Sequence, residues 1–200
     1  MEMDPAEKIR AFLALPLAEA FESSVRPVVQ KLKAQYPEVK WVEPSQIHVT
    51  LHFFGGIESK DIARISEGVI PVTQKTKPLH LSLYGMGGFP NLERARVIWV
   101  GIEGPISPTQ GKLAKAEALT GLQASLEGQF KARGFECEGR LFKPHLTLGR
   151  IREGKRIFFK AIEFGPTEIK QVSEIILFKS VLSSAGPKYE KIQTFPLSAS

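Results

Sequence analysis

The sequence carries one short pattern twice, as IHVTL at residues 47–51 and as PHLTL at residues 144–148. In each copy a histidine and a threonine are separated by one apolar residue and followed by a leucine. Because side chains alternate between the two faces of a β-strand, the histidine and threonine of a copy would share one face. The pattern therefore predicts two strands, each with one face toward a core and the other toward a cleft.

If the two strands face each other, they bring two imidazoles and two hydroxyls into one cleft. His48 and His145 could donate and accept protons near neutral pH. Thr50 and Thr147 could donate hydrogen bonds to anionic oxygens. This set of groups suits proton transfer on a phosphodiester without a metal ion.

A single histidine in a strand is more often structural than catalytic, so the repetition carries the argument. Strand propensity favours threonine and valine but not histidine, and it does not explain two matching copies. The other two histidines serve as comparisons. We expect His52 to continue the cleft-facing row after Thr50, although the second copy has no matching histidine. We expect His80 to lie on the solvated face of an alternating strand.

Other chemistries find little support in the sequence. No third histidine, cysteine or carboxylate stands at strand or helix spacing from His48 or His145, so we predict no metal site. The single Cys137 has no cysteine partner and is expected to be structurally neutral. The glycine-rich stretch at 85–90 lacks the spacing of a dinucleotide or phosphate loop; we interpret it as a loop and predict no cofactor.

Length and composition indicate an ordinary globular protein. With 200 residues, 42% hydrophobic and 24% charged, the chain is expected to form one domain over residues 1–200. No apolar run reaches membrane-spanning length, so we expect no membrane association. The first residues lack the features of a secretory signal, which favours a cytoplasmic location.

The charge balance favours an anionic ligand. Lysine and arginine outnumber aspartate and glutamate by 27 to 21, giving a net charge of +6. Basic residues flank the second motif: Arg140, Lys143, Arg150, Arg152, Lys155 and Arg156. We expect Arg150 to share the face of His145 and Thr147, whereas the outer members fit a solvated basic loop equally well.

The order of predicted elements runs twice. The first half reads as a strand over 10–15, a helix over 17–35, the first motif strand ending at Phe54, a helix over 61–70 and a strand over 79–84. Pro27 would either kink the first helix or mark its true first turn. The second half reads as a strand over 96–101, a helix over 112–133 ended by Gly134, the second motif strand over 145–151, and a hairpin of 169–182 with 189–197 across residues 184–187. This order indicates an ancient duplication and a cleft between two lobes.

These residues resemble the 2H phosphoesterase superfamily, and most closely its RNA 2′,3′-cyclic phosphodiesterases, also called 2′-5′ RNA ligases. The resemblance covers nearly the whole chain. It is carried by residues 9–12, 41–44, 48–51, 96–100 and 142–150, and by the C-terminal pattern at 180 and 186–189.

The resemblance implies an α+β fold of two pseudo-symmetric lobes, each with antiparallel sheet and helices, around a cleft. It implies metal-free hydrolysis of a terminal 2′,3′-cyclic phosphate to a 2′-phosphate. His48 would protonate the departing 3′ oxygen, and His145 would activate water. Thr50 and Thr147 would hold the non-bridging oxygens, while Arg150 would stabilise charge or stack on the terminal base.

Two further functions remain open at this point. The same proton transfers would serve a 2′,5′-phosphodiesterase or a reversible 2′-5′ RNA ligase. Alternatively, the cleft could bind nucleotides or RNA without catalysis. The expected partners are RNA ends with a cyclic phosphate or cyclic nucleotides, bound by a monomer. Four aromatic residues could belong either to the core or to a base-stacking surface, and we expect core for the last of them: Phe12, Phe53, Phe89 and Trp99.

Overall fold

The structure is a computed structural model that describes residues 8–106, 113–137, 139–152, 154–155, 157–160, 162–183 and 186–198. Its strands are β1 (Ile9–Pro16), β2 (Lys40–Trp41), β3 (His48–Ile57), β4 (Leu79–Phe89), β5 (Val97–Ile106), β6 (Leu113–Lys115), β7 (His145–Arg150), β8 (Lys170–Val172), β9 (Glu174–Ser183) and β10 (Gly186–Pro196). Its helices are α1 (Ala18–Gln35), α2 (Ser59–Thr73) and α3 (Glu117–Ala132), and a short 3₁₀ turn covers Pro44–Gln46.

Two antiparallel sheets form the framework. The first, sheet A, has the strand order β10-β9-β1-β3. The second, sheet B, has the order β2-β7-β5-β4-β8, with β6 paired to β5. The two motif strands β3 and β7 therefore belong to different sheets, and they contact each other where the sheets meet. The predicted α+β class, with two lobes of antiparallel sheet and helices, is confirmed.

The lobes interleave the two halves of the sequence. Strands β1 and β3 pair within sheet A, and β5 and β7 pair in the same antiparallel way within sheet B. Yet β4, from the first half, joins sheet B, whereas β9 and β10, from the second half, return to sheet A. The duplicated order of elements is present, but neither lobe is built from one half of the chain.

Apolar side chains at helical spacing attach α1 to the rest of the protein. Phe21, Val25, Val29 and Leu32 are buried in a core to which both sheets and all three helices contribute. Pro27 lies inside this helix on its exposed side, so it does not mark the first turn. None of the described helices is long and apolar enough to cross a membrane.

Several predicted boundaries are wrong; strand β5, for example, continues past residue 101 to Ile106. The predicted helix at 112–133 begins as strand β6, and α3 starts only at Glu117; Gly134, with φ of +77°, does follow its end. The glycine-rich stretch is part of β4, where Gly85, with φ of +70°, forms a bulge. Strand β3 likewise continues past Phe54 to Ile57. The predicted hairpin exists as β9 and β10, although residues 184 and 185 of its turn lie outside the described residues.

The glycines of β4 have a packing role. Trp99 of β5 lies flat over Gly87, and a Cβ atom at residue 87 would be 2.2 Å from the Cζ2 atom of the Trp99 ring. No side chain fits there without displacing the indole.

We expect Gly87→Ala to lower the free energy of unfolding by about 1–3 kcal/mol, because the added methyl overpacks the site. Gly128→Ala is the matched control: nothing lies within 4 Å of a Cβ atom at this position in α3. There alanine should raise stability by up to about 1 kcal/mol through helix propensity. Urea unfolding of the two variants measures both changes, and equal effects would contradict the packing argument.

Candidate active site

His48 is fixed at the first position of β3 by the turn before it. Its Nδ1 atom lies 2.8 Å from the carbonyl oxygen of Gln46. Since a carbonyl oxygen only accepts, Nδ1 carries the hydrogen and Nε2 is left to exchange a proton. The ring packs against Phe12, with centroids 5.1 Å apart, and against the edge of Tyr189 at 5.2 Å.

His145 is held in the same way in the other sheet. Its Nδ1 atom lies 2.7 Å from the carbonyl oxygen of Lys143, again two residues earlier in the chain. Its ring meets Phe89 at a right angle with centroids 4.8 Å apart, and Trp99 lies at 6.5 Å. The two imidazoles thus have the same tautomer and the same kind of aromatic support.

The cleft disfavours the charged form of both imidazoles. Burial lowers the pKa of His48 below its usual value; the guanidinium of Arg150 and the ring of His145 lower it further, and the Gln46 carbonyl partly offsets these effects. Burial also lowers the pKa of His145, with a further contribution from Arg150 and an offset from the Lys143 carbonyl. One arginine therefore acts electrostatically on both histidines, which places all three groups in one site.

Both motif strands contain a bulge at the leucine after the threonine. In β3, Thr50 pairs with Ala14 and His52 with Leu13, so Leu51 has no partner of its own. In β7, Thr147 pairs with Trp99 and Gly149 with Ile98, which leaves Leu148 as the extra residue. In each strand the leucine and the residue after it are both buried.

The bulge decides which later residues reach the cleft. Arg150 stands three residues after Thr147, so unbroken alternation would point it away from the cleft. The extra residue of the bulge shifts the alternation by one, so Arg150 again points to the face of His145 and Thr147. The predicted shared face is correct, but the bulge and not simple alternation is the cause. Phe53, at the same offset from its histidine, pairs with Phe12 and therefore shares the cleft face.

The expectation for His52 is wrong. The bulge turns this residue to the core side of β3, where it is 4% exposed and packs against Phe54 and Phe130. Its Nδ1 atom lies 2.6 Å from a carboxylate oxygen of Glu127 on α3. His52 is thus a structural link between β3 and α3.

Cys137 joins this pair on the core side. Among the described residues, His52, Glu127 and Cys137 are the one group of three side chains close enough to share a metal ion, with candidate ligand atoms within 4.8 Å of one another. None of them belongs to the predicted site. Burial and the neighbouring Glu127 raise the pKa of the Cys137 thiol to about 11, so it is protonated at neutral pH.

The remaining predicted residues take different places. Thr50 is exposed and Thr147 is half-buried. The strand register puts each threonine on the same face of its strand as the motif histidine. Arg152 and Lys155 are exposed on a turn closed by a hydrogen bond from the Lys155 amide to the Arg152 carbonyl, 3.1 Å long. Arg140 and Lys143 are exposed before β7, and Arg156 lies outside the described residues.

The aromatic residues divide between the cleft and its rim. Trp99 is half-buried and pairs with Thr147, so the expectation that it belongs to the core is wrong. Phe12 and Phe89 contact the catalytic candidates directly. Phe53 is 39% exposed, and the Arg10 guanidinium lies 4.8 Å from its ring centroid.

Two cleft residues, Tyr189 and Arg10, received no role in the sequence analysis, and Phe53 was left open there between the core and a base-stacking surface. Tyr189 comes from β10, and the pKa of its hydroxyl is raised by burial and lowered in part by Arg150 and Arg10. Only the sheet order, which places β10 in the sheet of β3, reveals it. Phe53 carried a usable signal, because it and Arg150 both stand five residues after a motif histidine.

One known protein family matches this chain, and the matched residues include both motif strands. The sequence pattern of the LigT-like phosphoesterases matches residues 15–99 and 113–189. This chain belongs to that family. The resemblance to 2H phosphoesterases is thereby confirmed, and the protein is an enzyme of phosphoester chemistry.

Curated relatives of this phosphoesterase match along almost their whole length. A protein of Methanothermobacter thermautotrophicus is 35% identical over 195 residues, which cover 95% of this chain and 100% of the relative. A protein of Archaeoglobus fulgidus is 31% identical over 193 residues, covering 94% and 99%. Both relatives carry the name RNA 2′,3′-cyclic phosphodiesterase.

Solved structures share the fold. The TT0787 protein of Thermus thermophilus superposes with a TM-score of 0.75 at 24% identity, covering 96% of this chain and 99% of that one. E. coli LigT complexed with 3′-AMP gives a TM-score of 0.68 at 24% identity, with the same coverage.

The shared electrostatic effect of Arg150 can be tested directly. We expect Arg150→Gln to raise the pKa of His48 and of His145, because the imidazolium no longer faces a fixed positive charge. NMR titration of the ring Cε1–H signals measures both changes, with His80, at the far end of β4, as reference. Arg152→Gln is the matched control. Unchanged midpoints in Arg150→Gln would show that the guanidinium lies too far away.

Proposed function

We propose that this phosphoesterase hydrolyses the terminal 2′,3′-cyclic phosphodiester of RNA to a 2′-phosphate, without a metal ion. The observation that carries the proposal is the matched pair of histidines, each with Nδ1 bound to a backbone carbonyl and each within electrostatic reach of Arg150. The name shared by the full-length relatives supports the choice of substrate.

The proposed reaction uses one histidine as base and the other as acid. Nε2 of His145 takes a proton from water as the water oxygen attacks phosphorus. The bond from phosphorus to the 3′ oxygen breaks, and Nε2 of His48 donates its proton to that oxygen. The product keeps the phosphate on the 2′ oxygen, and proton exchange with solvent restores both imidazoles.

The electrostatics of the free cleft fit this division of labour. The base must be neutral. Burial and the charge of Arg150 lower the pKa of His145, which favours its neutral form. The charge of His145 also lowers the pKa of His48, so the state in which both rings are protonated is disfavoured. A bound phosphate anion offsets the charge of Arg150 and lets His48 hold the proton that it must donate.

The remaining cleft residues would bind the substrate. The hydroxyls of Thr50 and Thr147 would donate hydrogen bonds to the two non-bridging oxygens, and Arg150 would stabilise the charge that develops on them. The exposed Phe53 ring with Arg10 above it is a surface on which the terminal base can stack. The protein would act on these RNA ends, or on cyclic nucleotides, as a cytoplasmic monomer whose whole chain forms one bilobal domain.

Product analysis separates this function from its alternatives. The purified protein is incubated in excess EDTA with adenosine 2′,3′-cyclic phosphate and with an oligonucleotide ending in a cyclic phosphate. We expect full activity and a 2′-phosphate product, because no step needs a cation. Loss of activity that one metal ion restores would contradict the mechanism. A joined 2′-5′ product would indicate a ligase, and tight binding without turnover a nucleotide-binding module.

The two histidines should be equally necessary. We expect His48→Ala or His145→Ala to lower kcat by about 10² to 10⁴, the usual contribution of an acid or base. His80→Ala, on the exposed face of β4, is the matched control. In the wild type the rate should follow a bell-shaped pH curve, since His145 must be neutral while His48 is protonated. Near-wild-type turnover in either cleft variant would rule out the mechanism.

A further inference from the structure

Strand β2 brings a second cation to the cleft beside Arg150. In the pairing of β2 with β7, Lys40 lies opposite Arg150 and Trp41 opposite Gly149. Directly paired residues project to the same face of a sheet, with Cα atoms about 4.5–5.5 Å apart. The exposed Lys40 therefore shares the cleft face with Arg150.

The neighbouring tryptophan fixes this orientation independently. The indole nitrogen of Trp41 donates to the Tyr36 carbonyl over 2.9 Å, and its ring packs near the buried Phe159. Gly149 leaves room for that ring, because a Cβ atom there would lie 2.8 Å from Trp41 Cε3. With Trp41 held on the core side, alternation directs Lys40 to the cleft side.

Among the residues that the structure describes, the two cations have no acidic partner. Like charges directly opposite on adjacent strands destabilise a sheet. In the part of the chain that the structure describes, neither Lys40 nor Arg150 forms an ion pair. Glu43, an acid close to Lys40 in sequence, lies 4.0 Å from Lys33 on α1 instead. The uncompensated pair is the kind of site that an anion would stabilise.

We propose that Lys40, beside Arg150, forms a subsite for the phosphate that joins the terminal nucleotide of the RNA to the nucleotide before it. This inference rests on the proposed function, in which the histidines, threonines and Arg150 hold the cyclic phosphate. Lys40 lies one strand further out, about 4.8 Å beyond β7, at the edge of sheet B where the chain crosses to β3. An RNA strand leaving the cleft over this edge places its next phosphate there. The subsite selects RNA ends over single nucleotides.

Three substrates isolate this contact: adenosine 2′,3′-cyclic phosphate, the ApA dinucleotide with a terminal cyclic phosphate, and the same dinucleotide with an uncharged methylphosphonate linkage. The wild type should show a KM about two- to tenfold lower for the charged dinucleotide than for the methylphosphonate. Lys40→Gln should remove this difference, because the linkage then meets no second cation. The slope of log KM against log salt should also decrease by about 0.7 for the charged dinucleotide.

Matched variants complete the test. Lys40→Arg should keep the difference between the dinucleotides, and so should Lys60→Gln at the start of α2. Equal KM values for both dinucleotides in the wild type, or an equal loss on all three substrates in Lys40→Gln, would overturn the subsite while leaving the hydrolysis intact. Absence of turnover on every substrate would overturn the proposed function instead.

In that case the binding of the two dinucleotides, measured by calorimetry, still tests the subsite. Equal affinities for the charged and the uncharged dinucleotide would refute it.

Discussion

The hydrogen bond from each imidazole Nδ1 to a carbonyl two residues earlier is the interaction on which the site depends. It uses a backbone oxygen that the start of a strand leaves free, so it needs no carboxylate and adds no charge. It fixes the ring plane and leaves Nε2 as the reactive atom. Because both strands make the same hydrogen bond, the proposed acid and the proposed base are held in the same way. What distinguishes them is the substrate and the surrounding charges.

The bulges at Leu51 and Leu148 are the second constraint. Each bulge puts two consecutive residues on the core side, and the strand after it then returns to the cleft. Each motif strand therefore presents two groups of side chains to the cleft. The histidine and threonine come before the bulge, and Phe53 in β3 or Arg150 in β7 comes after it. The pseudo-symmetry therefore extends past the motifs. At that point it ends, because one lobe presents an aromatic ring and the other a guanidinium.

The sequence predicts the chemical groups of the site better than it predicts their arrangement in space. The repeated histidines and threonines, the fold class and the order of elements follow from pattern and period. Strict alternation along a strand does not predict a bulge. For this reason alternation puts His52 on the wrong face, and it does not explain why Arg150 lies on the face of His145. The glycine-rich stretch suggested a loop, although at Gly87 a tryptophan from the adjacent strand occupies the space that a side chain would need. Tyr189 and Lys40 depend on which strands pair, and local sequence does not encode that.

The return of β9 and β10 to the first sheet has a consequence for biosynthesis. On the ribosome, β1 and β3 emerge early and can pair with each other, but β1 lacks its second neighbour, β9, until residues 174–183 have been made. Tyr189, against which His48 packs, is translated well after both motifs. A chain truncated before β9 would hold both motifs but would lack the strand that pairs with β1 and the ring that packs against His48. The groups that surround His48 thus come from both ends of the sequence, with Phe12 from β1 and Tyr189 from β10.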